Sequence, residues 1–303
     1  MTTGPFSLLM AVYAGDRPQF VSRAVSSSVH DQTLRPAELV LVQDGPVSPA
    51  LAACISGLVA GSPIPVRHVQ LAQNGGLARA LQAGLHRCEH DVVARMDSDD
   101  VSLPERFART VPLVLGGIDL LGTALLEIGL DEQVLGRRDP PTRPEVIAST
   151  ARLHDPFNHP SVVYRRSAVL AAGGYRHLPM MEDYWLFARM IAAGARVANL
   201  PEALVLYRVA AGAYERRGGV ALLRAELQLQ SAFRRTGFTT RPQYLRNVVV
   251  RGGYRLVPAA VRRSAYTRVV AGRGARLDRV PTGTGREPSP PFEFKKEEPR
   301  GAS

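Results

Sequence analysis

The stretch DVVARMDSDD, residues 91–100, joins an apolar run to three closely spaced carboxylates. The apolar part predicts a buried strand, and Asp97, Asp99 and Asp100 follow it directly. Like charges that crowd against a protein core repel one another and cost desolvation energy, so they need a positive partner. The stretch therefore predicts a core strand with an acidic site at its carboxyl end.

The residues before this stretch alternate strand and helix patterns. A continuous apolar run, typical of a strand covered on both faces, lies at 6–12, and further strand patterns lie at 38–42 and 65–69. Helical patterns at 17–28, 49–59 and 77–87 separate them. Such alternation predicts βαβ units, and hence an α/β fold with a mostly parallel sheet flanked by helices. Later patterns predict strand pairing around Gly122, a turn at Asp131, a helix from Met181, a strand at 203–209 and a helix at 220–235.

Polar residues collect just after the four predicted strands, at the sheet edge where ligands of open α/β sheets bind. They are Tyr13 and Asp16, Asp44, Asn74 and Arg79, and finally Asp97 and Asp99. Because residues i and i+2 of a strand face the same way, Asp97 and Asp99 are expected to point together, with Asp100 turned away. Two aspartates are too few ligands for Mg²⁺ or Mn²⁺ alone, so this pair predicts a metal held together with phosphate oxygens.

Three other readings of the acidic stretch are weaker. A turn that caps the helix after Pro104 needs only one acid and leaves Asp97 and Asp99 unexplained. A calcium loop lacks the required glycine. The nucleophile motif D-x-D-x-V of haloacid-dehalogenase-like phosphatases normally ends the first strand and needs a downstream lysine, whereas here no lysine precedes Lys295. The phosphatase reading is therefore disfavoured.

Charge is distributed unevenly along the 303 residues. Residues 1–215 hold 19 arginines and 21 acids, whereas 216–276 hold 14 arginines and the single acid Glu226.

The apolar stretch 111–130 is interrupted by acids and glycines and predicts core strands rather than a membrane span. No signal peptide is recognisable at the start, and two distant cysteines favour a reducing compartment. We expect four segments: two halves of the α/β body at 1–115 and 116–215, a basic helical extension at 216–276 and a disordered tail at 277–303.

Five ordered blocks carry a family resemblance over roughly residues 6–210. They are LLMAVYAGDRPQFVSRAVSSSVHDQTLRPAELVLVQDGP, NGGLARALQAGL, VARMDSDDVSLPERF, HPSVVYRRSAVLAAGGY and MEDYWLFARMIAAG. With these blocks the chain resembles family 2 glycosyltransferases, and most of all those of the amylovoran-biosynthesis type that build bacterial exopolysaccharides and lipid-linked surface glycans.

The resemblance implies a GT-A (Rossmann-like) fold and an inverting, metal-dependent transfer. It also implies that residues 1–115 form the nucleotide-sugar-binding half and residues 116–215 the acceptor-binding half. The donor would be a nucleotide-diphospho-sugar such as a UDP-sugar, and the acceptor a hydroxyl of a lipid-linked or polysaccharide chain. Mn²⁺ or Mg²⁺ would be bound by Asp97 and, chiefly, Asp99. The donor-binding positions implied are Ala11, Val12, Tyr13, Asp16, Asp44, Asn74, Gly76, Arg79, Asp97, Ser98 and Arg208. The family's asparagine after the first-strand tyrosine is replaced here by Ala14, so uridine and thymidine both stay open as the base.

Some of these positions also admit structural roles. Asp44 suits the start of a turn, and Asn74 suits a helix N-cap. Asp183 matches the family's general base, with Glu182 beside it toward the acceptor, and could equally cap the helix that follows. His159 could hold acceptor or metal, although a structural histidine is the commoner case.

The basic segment 216–276 predicts docking on an anionic membrane surface, with the protein peripheral at the inner, cytoplasmic face of the cell membrane. Its arginines alternate with apolar residues, and no stretch is long enough to cross a bilayer. A solvated basic face is the plain alternative. A nucleic-acid-binding module on an α/β scaffold is disfavoured, because the segment has no recognition-helix motif and the carboxylate edge would go unused.

Overall fold

The computed structural model describes residues 4–209 and 220–256, which build one nine-stranded sheet with helices on both faces. The strands are β1 (Ser7–Tyr13), β2 (Glu38–Asp44), β3 (Val66–Leu71), β4 (Val92–Met96), β5 (Val101–Ser102), β6 (Leu120–Ile128), β7 (Val134–Arg138), β8 (Val163–Arg165) and β9 (Val197–Arg208). The helices are α1 (Pro18–Val29), α2 (Pro49–Gly61), α3 (Leu77–Leu85), α4 (Arg106–Leu115), α5 (Pro144–Thr150), α6 (Arg166–Ala171), α7 (Glu182–Ala192), α8 (Val220–Arg235), α9 (Arg241–Asn247) and α10 (Gly253–Leu256). A 3₁₀ helix at His159–Ser161 and a π-helical turn at Val248–Gly252 are also present.

The first half of the sheet is parallel, in the order β3-β2-β1-β4. In this register Tyr13 of β1 lies opposite Asp44 of β2, and Met10 lies opposite Met96 of β4. Parallel pairing therefore brings the carboxyl ends of three strands to one edge of the sheet. The predicted α/β fold and its polar edge are confirmed.

The second half of the sheet is mixed. β8 runs antiparallel to β4 and to β6, while β6 runs parallel to β9. The pairing predicted around Gly122 becomes the long central strand β6, and the turn predicted at Asp131 leads into its antiparallel partner β7. The sheet is thus continuous from β4, which precedes the acidic turn, through β8 to β6 and β9 of the second half.

The side chains of β1 alternate between two apolar clusters, one on each face of the sheet. Leu8, Met10 and Val12 pack in the first cluster, and Leu9 packs in the second. The second face is closely approached by α3, because a Cβ on Gly84 would lie 2.4 Å from Leu9 Cδ1. This burial on both faces explains why the strand reads as a continuous apolar run.

The apolar stretch 111–130 is divided between α4 and β6, in agreement with the prediction that it is not a membrane span. Within residues 4–209 and 220–256, no helix combines the length and the apolar character needed to cross a bilayer.

The C-terminal helices share a core with the body of the protein. Leu222, Leu229 and Phe233 of α8 pack with Met181 and Tyr184 at the start of α7. Part of the predicted basic extension, 220–256, is therefore packed on the second half of the body, at the start of α7, and does not stand apart from it. The boundaries at 115, 215 and 276 stay predictions, and the predicted disordered tail at 277–303 lies outside the described residues.

Candidate active site

The acidic residues of the opening stretch lie in a turn, since β4 ends at Met96. The two-residue alternation from which a common face of Asp97 and Asp99 was predicted holds only within a strand, and so does not apply to them. Their common orientation stays a prediction. Asp97 folds back onto Arg95: Nη1 of Arg95 lies 2.6 Å from Asp97 Oδ2, and Nη2 binds the other carboxylate oxygen. The Arg95 side chain is 1% exposed. A buried guanidinium is thus the first positive partner of the acidic turn.

Asp99 and Asp16 make this turn more acidic than one arginine can balance. Burial, together with the charges of Asp97 and Asp16, raises the pKa of Asp99 to about 6. Burial also raises the pKa of Asp16, against the opposing effects of the Ser98 hydroxyl and of the Tyr13 amide, which donates to Asp16 Oδ2 at 2.9 Å. Arg95 pairs with Asp97, while Asp99 and Asp16 have no ion pair of their own among the described residues, and this grouping of carboxylates fits a divalent cation bound together with phosphate oxygens.

A separate group of two glutamates and a histidine lies at the amino-terminal end of β2. Among the described residues, the ligand atoms of Glu38, Glu89 and His90 lie within 4.8 Å of one another. Arg67 pairs with both glutamates, at 3.8 Å for Glu38. Since a fixed guanidinium already supplies the positive charge, this group is an ion-pair network at the edge of the sheet opposite the acidic turn.

Asp100 and Arg208 fix the backbone of the acidic turn by hydrogen bonds between the turn and the end of β9. The Arg208 amide donates to Asp100 Oδ1 at 2.7 Å, and its guanidinium donates to the Asp99 carbonyl at 2.9 Å and to Glu132 at 2.9 Å. Burial is the main reason why the pKa of Asp100 is well above its usual range. Asp100 points away from the edge, as predicted. Arg208 is buried with its guanidinium bound to protein groups, so the structure gives it a positioning role; its predicted contact with the diphosphate stays a prediction.

The predicted base-binding edge is built from two loops that interlock. The buried carboxylate of Asp44 accepts the amides of Gly75 and Gly76, each at 2.8 Å, and its carbonyl accepts Asn74 Nδ2 at 3.3 Å. Gly45 has a φ of 83°, and a Cβ there would lie 2.4 Å from the Asn74 nitrogen. Asp44 therefore shapes the loop that precedes α3. The N-cap of α3 is Gly76, so the alternative role of Asn74 as its cap is wrong.

Side chains around these loops differ in what they can offer to a ligand. Val12 is in the first core cluster and Ala11 packs against the second, so only their backbone atoms can take part. Tyr13 and Arg79 are exposed. Each covers a glycine, since a Cβ on Gly15 would collide with the Tyr13 ring and one on Gly75 with Arg79 Cδ. An aromatic ring and a guanidinium are thus available at this edge of the sheet.

The carboxylate predicted as the general base lies in the first turn of α7. Asp183 Oδ1 accepts the amide of Tyr184 at 2.7 Å, and Oδ2 lies 3.6 Å from His159 Nδ1. The N-cap is Met181, so the alternative role of Asp183 as the cap is wrong. Burial, reinforced by Arg95, holds the pKa of His159 well below its usual range, and burial raises the pKa of Asp183. A neutral imidazole, itself 3.2 Å from the Tyr175 hydroxyl, thus faces a carboxylate that is predisposed to take up a proton.

Two further carboxylates surround Asp183. Burial and the neighbouring charge of Asp183 raise the pKa of Glu182 to about 7. The same two causes, in the same order, raise the pKa of Asp155 well above its usual range. Directly before this group, Met180 is exposed and has a φ of 64°, a left-handed conformation that a non-glycine residue adopts rarely and most often at functional sites. Asp183 is therefore the centre of a second acidic cluster.

Arg95, Arg106 and Asp155 were not predicted from the sequence as site residues. Arg106 is fully buried, and its guanidinium donates to the Arg95 carbonyl at 2.6 Å and to the Pro160 carbonyl at 3.0 Å, which ties β4 to the 3₁₀ helix that carries His159. Arg95 acts electrostatically on both acidic clusters, since its charge lowers the pKa of Asp99 and of Asp183. The available signal was a charged residue inside an otherwise apolar strand pattern, which predicts a buried ion pair.

We expect Asp97→Ala to reduce the free energy of unfolding by about 3 to 5 kcal/mol, because it leaves the Arg95 guanidinium buried without its partner. In an Arg95→Met background the same change should cost far less. Urea unfolding of the two single variants and the double variant forms a double-mutant cycle that measures this coupling. Equal costs in the two backgrounds would show that Asp97 and Arg95 do not stabilise each other.

A second stability prediction concerns Glu182. With a pKa of about 7 when folded and an ordinary value near 4.5, this group keeps a proton in the folded state that the unfolded state releases. Its contribution to stability is therefore present at acidic pH and is lost as the pH rises from about 4.5 to about 7, with a slope of at most about 1.4 kcal/mol per pH unit. Urea unfolding in chelator should show a shallower decline for Glu182→Gln than for the wild type. Parallel curves would contradict the buried, protonated state.

A parallel half-sheet with an acidic turn at its edge is joined to a second half, in which helix α7 begins with two carboxylates. This is the architecture of GT-A glycosyltransferases. Among solved structures it is similar to S. aureus TarS 1-349 in complex with UDP-GlcNAc, with a TM-score of 0.60, 16% identity and coverage of 81% of this chain and 71% of that one. It is also similar to the mannosyltransferase PcManGT from Pyrobaculum calidifontis in complex with GDP-Man and Mn2+, with a TM-score of 0.60, 14% identity and coverage of 91% and 81%. These likenesses show the fold.

The sequence identifies the family within that class. Residues 7–170 match glycosyl transferase family 2, and the chain belongs to this family. It is 37% identical over 265 residues to the amylovoran biosynthesis glycosyltransferase AmsE of Erwinia amylovora, covering 86% of this chain and 97% of that protein. It is 30% identical over 271 residues to an Escherichia coli UDP-Gal:alpha-D-GlcNAc-diphosphoundecaprenol beta-1,3-galactosyltransferase, covering 88% and 97%. The predicted family is confirmed, and with it the rejection of the phosphatase reading.

Proposed function

We propose that this protein transfers a sugar from a UDP-sugar to a hydroxyl group of a lipid-linked glycan, with inversion at the anomeric carbon, during the synthesis of a bacterial surface polysaccharide. The observation that carries the proposal is the pair of acidic clusters, one after β4 and one at the start of α7, with Arg95 acting on both. The names of two relatives support the substrate class: one acts in amylovoran biosynthesis and the other is named for transfer from UDP-Gal to a GlcNAc-diphosphoundecaprenol.

The donor's nucleotide would lie along the edge formed by β1, β2 and the loop before α3. Tyr13 offers an exposed ring for stacking, and Arg79 offers a guanidinium that can bind phosphate or base oxygens. The Asp44 carboxylate already accepts two amides of the loop, so its larger contribution is to hold Asn74, Gly75 and Gly76 in place. Asp16 and Ser98 lie at the junction between this edge and the acidic turn.

Asp99 is the principal metal ligand in this proposal, and Asp97 contributes from its ion pair with Arg95. Burial and the charges of Asp97 and Asp16 raise the pKa of Asp99, and a bound cation would offset both effects. When bound, Mn²⁺ or Mg²⁺ would neutralise the charge that develops on the leaving diphosphate. A solved structure of the same fold is a complex with GDP-Man and Mn2+.

Asp183 is the general base in this proposal. The acceptor oxygen attacks the anomeric carbon, its proton passes to the Asp183 carboxylate, and the bond from the anomeric carbon to the diphosphate oxygen breaks with its electron pair leaving on UDP. His159 faces Asp183 Oδ2 and fixes the orientation of the carboxylate. Burial raises the pKa of Asp183, which favours its uptake of the acceptor's proton.

The test is a panel of nucleotide sugars assayed for protection against thermal unfolding, in Mn²⁺, in Mg²⁺ and in chelator. One donor should raise the Tm only in the presence of metal, since a ligand that binds the folded state stabilises it by mass action. That donor is then supplied with a short lipid-diphospho-sugar acceptor, and the anomeric configuration of the product is read by NMR. Retention of the donor's configuration, or donor binding that is unaffected by chelator, would contradict the proposal.

A further inference from the structure

The last helical segment of the described chain, residues 241–256, turns polar side chains toward the core and several large apolar side chains toward the solvent. Three of its polar side chains point inward: Asn247 is buried and donates to the Arg152 carbonyl at 2.6 Å, and Arg251 and Arg255 bind the buried Glu226. Surface helices normally place apolar residues toward the core and polar residues toward water. Here the core-facing side chains are hydrogen-bonded and charged, and large apolar side chains face the solvent instead.

The outward stripe, which we call the apolar ridge, consists of Leu245, Val249, Val250 and Tyr254. These side chains are 62%, 72%, 56% and 49% exposed, respectively. Leu245 and Val249 are four residues apart and therefore neighbours on the helical surface, and the same holds for Val250 and Tyr254. Because Val249 and Val250 are consecutive residues within the π-helical turn, the two pairs form adjacent rows on the exposed surface of the segment. Four neighbouring large apolar side chains in water form a patch that indicates an interaction surface.

The charge around the ridge selects the kind of partner. Glu226 is the single acid between residues 220 and 256, and it is fully buried between Arg251 and Arg255. Arg241 and Arg246 flank the ridge and are exposed, with no described carboxylate paired to them. In the sequence that follows, residues 257–276 contain five more arginines and no acid. An exposed apolar stripe bordered by arginines matches the interface of an anionic bilayer, where apolar side chains enter the acyl boundary and arginines bind headgroup phosphates.

Other partners match only one of these features. Nucleic acid would pair with the arginines, yet its phosphate backbone gives no reason for a ridge of aliphatic side chains. A second copy of the chain would cover the ridge but would bring equally basic segments together. We therefore propose that residues 241–256 lie in the interface of an anionic phospholipid bilayer, with the apolar ridge toward the acyl chains.

The same segment reaches toward the proposed base from its inner side. The Arg251 guanidinium carbon lies 5.7 Å from the ring centroid of Tyr184, the residue after Asp183. The charge of Arg251 also opposes the rise in the pKa of Asp155. A protein docked by the ridge would thus hold its second acidic cluster one helix away from the membrane, within reach of a lipid-linked sugar. This last step rests on the proposed function, whereas the docking itself does not.

The experiment measures co-sedimentation of the full chain with vesicles, in the absence of donor and metal. The wild type should bind vesicles that contain phosphatidylglycerol, bind phosphatidylcholine vesicles at least tenfold less, and weaken as salt rises. Leu245→Ser/Val249→Ser should reduce binding to the anionic vesicles at least tenfold, because it removes apolar contact and leaves every arginine in place. The matched control is Val134→Ser/Leu135→Ser, which alters two side chains of the β7 edge that are 58% and 55% exposed and should bind as the wild type does.

Far-UV circular dichroism and the Tm verify that both double variants are folded. Sugar transfer to a short-chain, water-soluble acceptor should be equal in the wild type and the ridge variant, so that a failure of docking is distinguished from a failure of catalysis. Docking is overturned if the ridge variant sediments like the wild type, or if neutral and anionic vesicles bind equally. It is also overturned if a DNA fragment displaces the vesicles at equal phosphate concentration, or if light scattering shows a dimer that the ridge variant abolishes.

Discussion

Replacing Asp183 by asparagine is expected to lower kcat by about 10²- to 10⁴-fold, the usual contribution of a general base. Asparagine keeps the size of the side chain and an oxygen that can accept the Tyr184 amide, which now donates to Asp183 Oδ1 at 2.7 Å. It has no charge and cannot take the acceptor's proton. Because Asp183 belongs to the cluster at α7 and not to the turn after β4, the metal-dependent affinity for the donor should stay within about threefold of the wild type.

The matched control for this variant is Glu182→Gln, at the adjacent position on the same helix turn. Glu182 has a pKa of about 7 and is partly protonated at neutral pH, whereas Asp183 faces the neutral imidazole of His159. We expect Glu182→Gln to lose no more than about tenfold in kcat. Single-turnover transfer, which isolates the chemical step, is the appropriate measurement. An inactive Glu182→Gln beside an active Asp183→Asn would assign the base to Glu182 instead.

Replacing Asp99 by asparagine is expected to lower kcat/KM by about 10³-fold or more, since metal stabilisation of a leaving group is worth several kcal/mol. Its effect on stability should have the opposite sign to that of Asp97→Ala. The charges of Asp97 and Asp16 oppose ionisation of Asp99, so removal of the Asp99 charge relieves repulsion in the metal-free protein. The free energy of unfolding at pH 7 in chelator should therefore be equal to or greater than that of the wild type.

Thermal protection by UDP measures the role of Asp99 directly. In the wild type, the rise in Tm produced by UDP should require Mn²⁺ or Mg²⁺ and disappear in chelator. In Asp99→Asn it should be absent with and without metal. Asp131→Asn, in the turn between β6 and β7, is the control for loss of an acid and should behave as the wild type. An Asp99→Asn protein that keeps metal-dependent protection would move the metal site elsewhere.

The parallel half of the sheet was predictable because its signals are local. An apolar run of five to seven residues, a turn and a helical pattern each depend on neighbouring residues, and β1, β2 and β4 were all recognised. The carboxyl edge followed from the topology of parallel strands, without any knowledge of side-chain contacts. The family blocks added Asp183, which neither periodicity nor charge would have singled out.

The partners of the acidic turn were not predictable in the same way. A common face for Asp97 and Asp99 was predicted from strand alternation, but β4 ends at Met96, before both residues, and Asp97 turns back to Arg95. Whether a strand continues for one more residue depends on its hydrogen-bonded neighbours, which are distant in sequence. For the same reason Asp155, 28 positions before Asp183, was recognised only in the folded protein.

The basic segment shows most clearly the difference between what could be predicted from the sequence and what only the folded structure shows. Its excess of arginine and its alternation with apolar residues can be counted in the sequence, and they were sufficient to predict a membrane-facing surface. The count could not show that Glu226 is buried between Arg251 and Arg255, or that Leu245 and Val249 face outward. The sequence by itself determined the fold class, the family and the excess of positive charge, because these follow from local periodicity, ordered motifs and composition. The tertiary structure decided which charges are paired and which apolar residues remain exposed, because both depend on contacts between residues that are far apart in the chain.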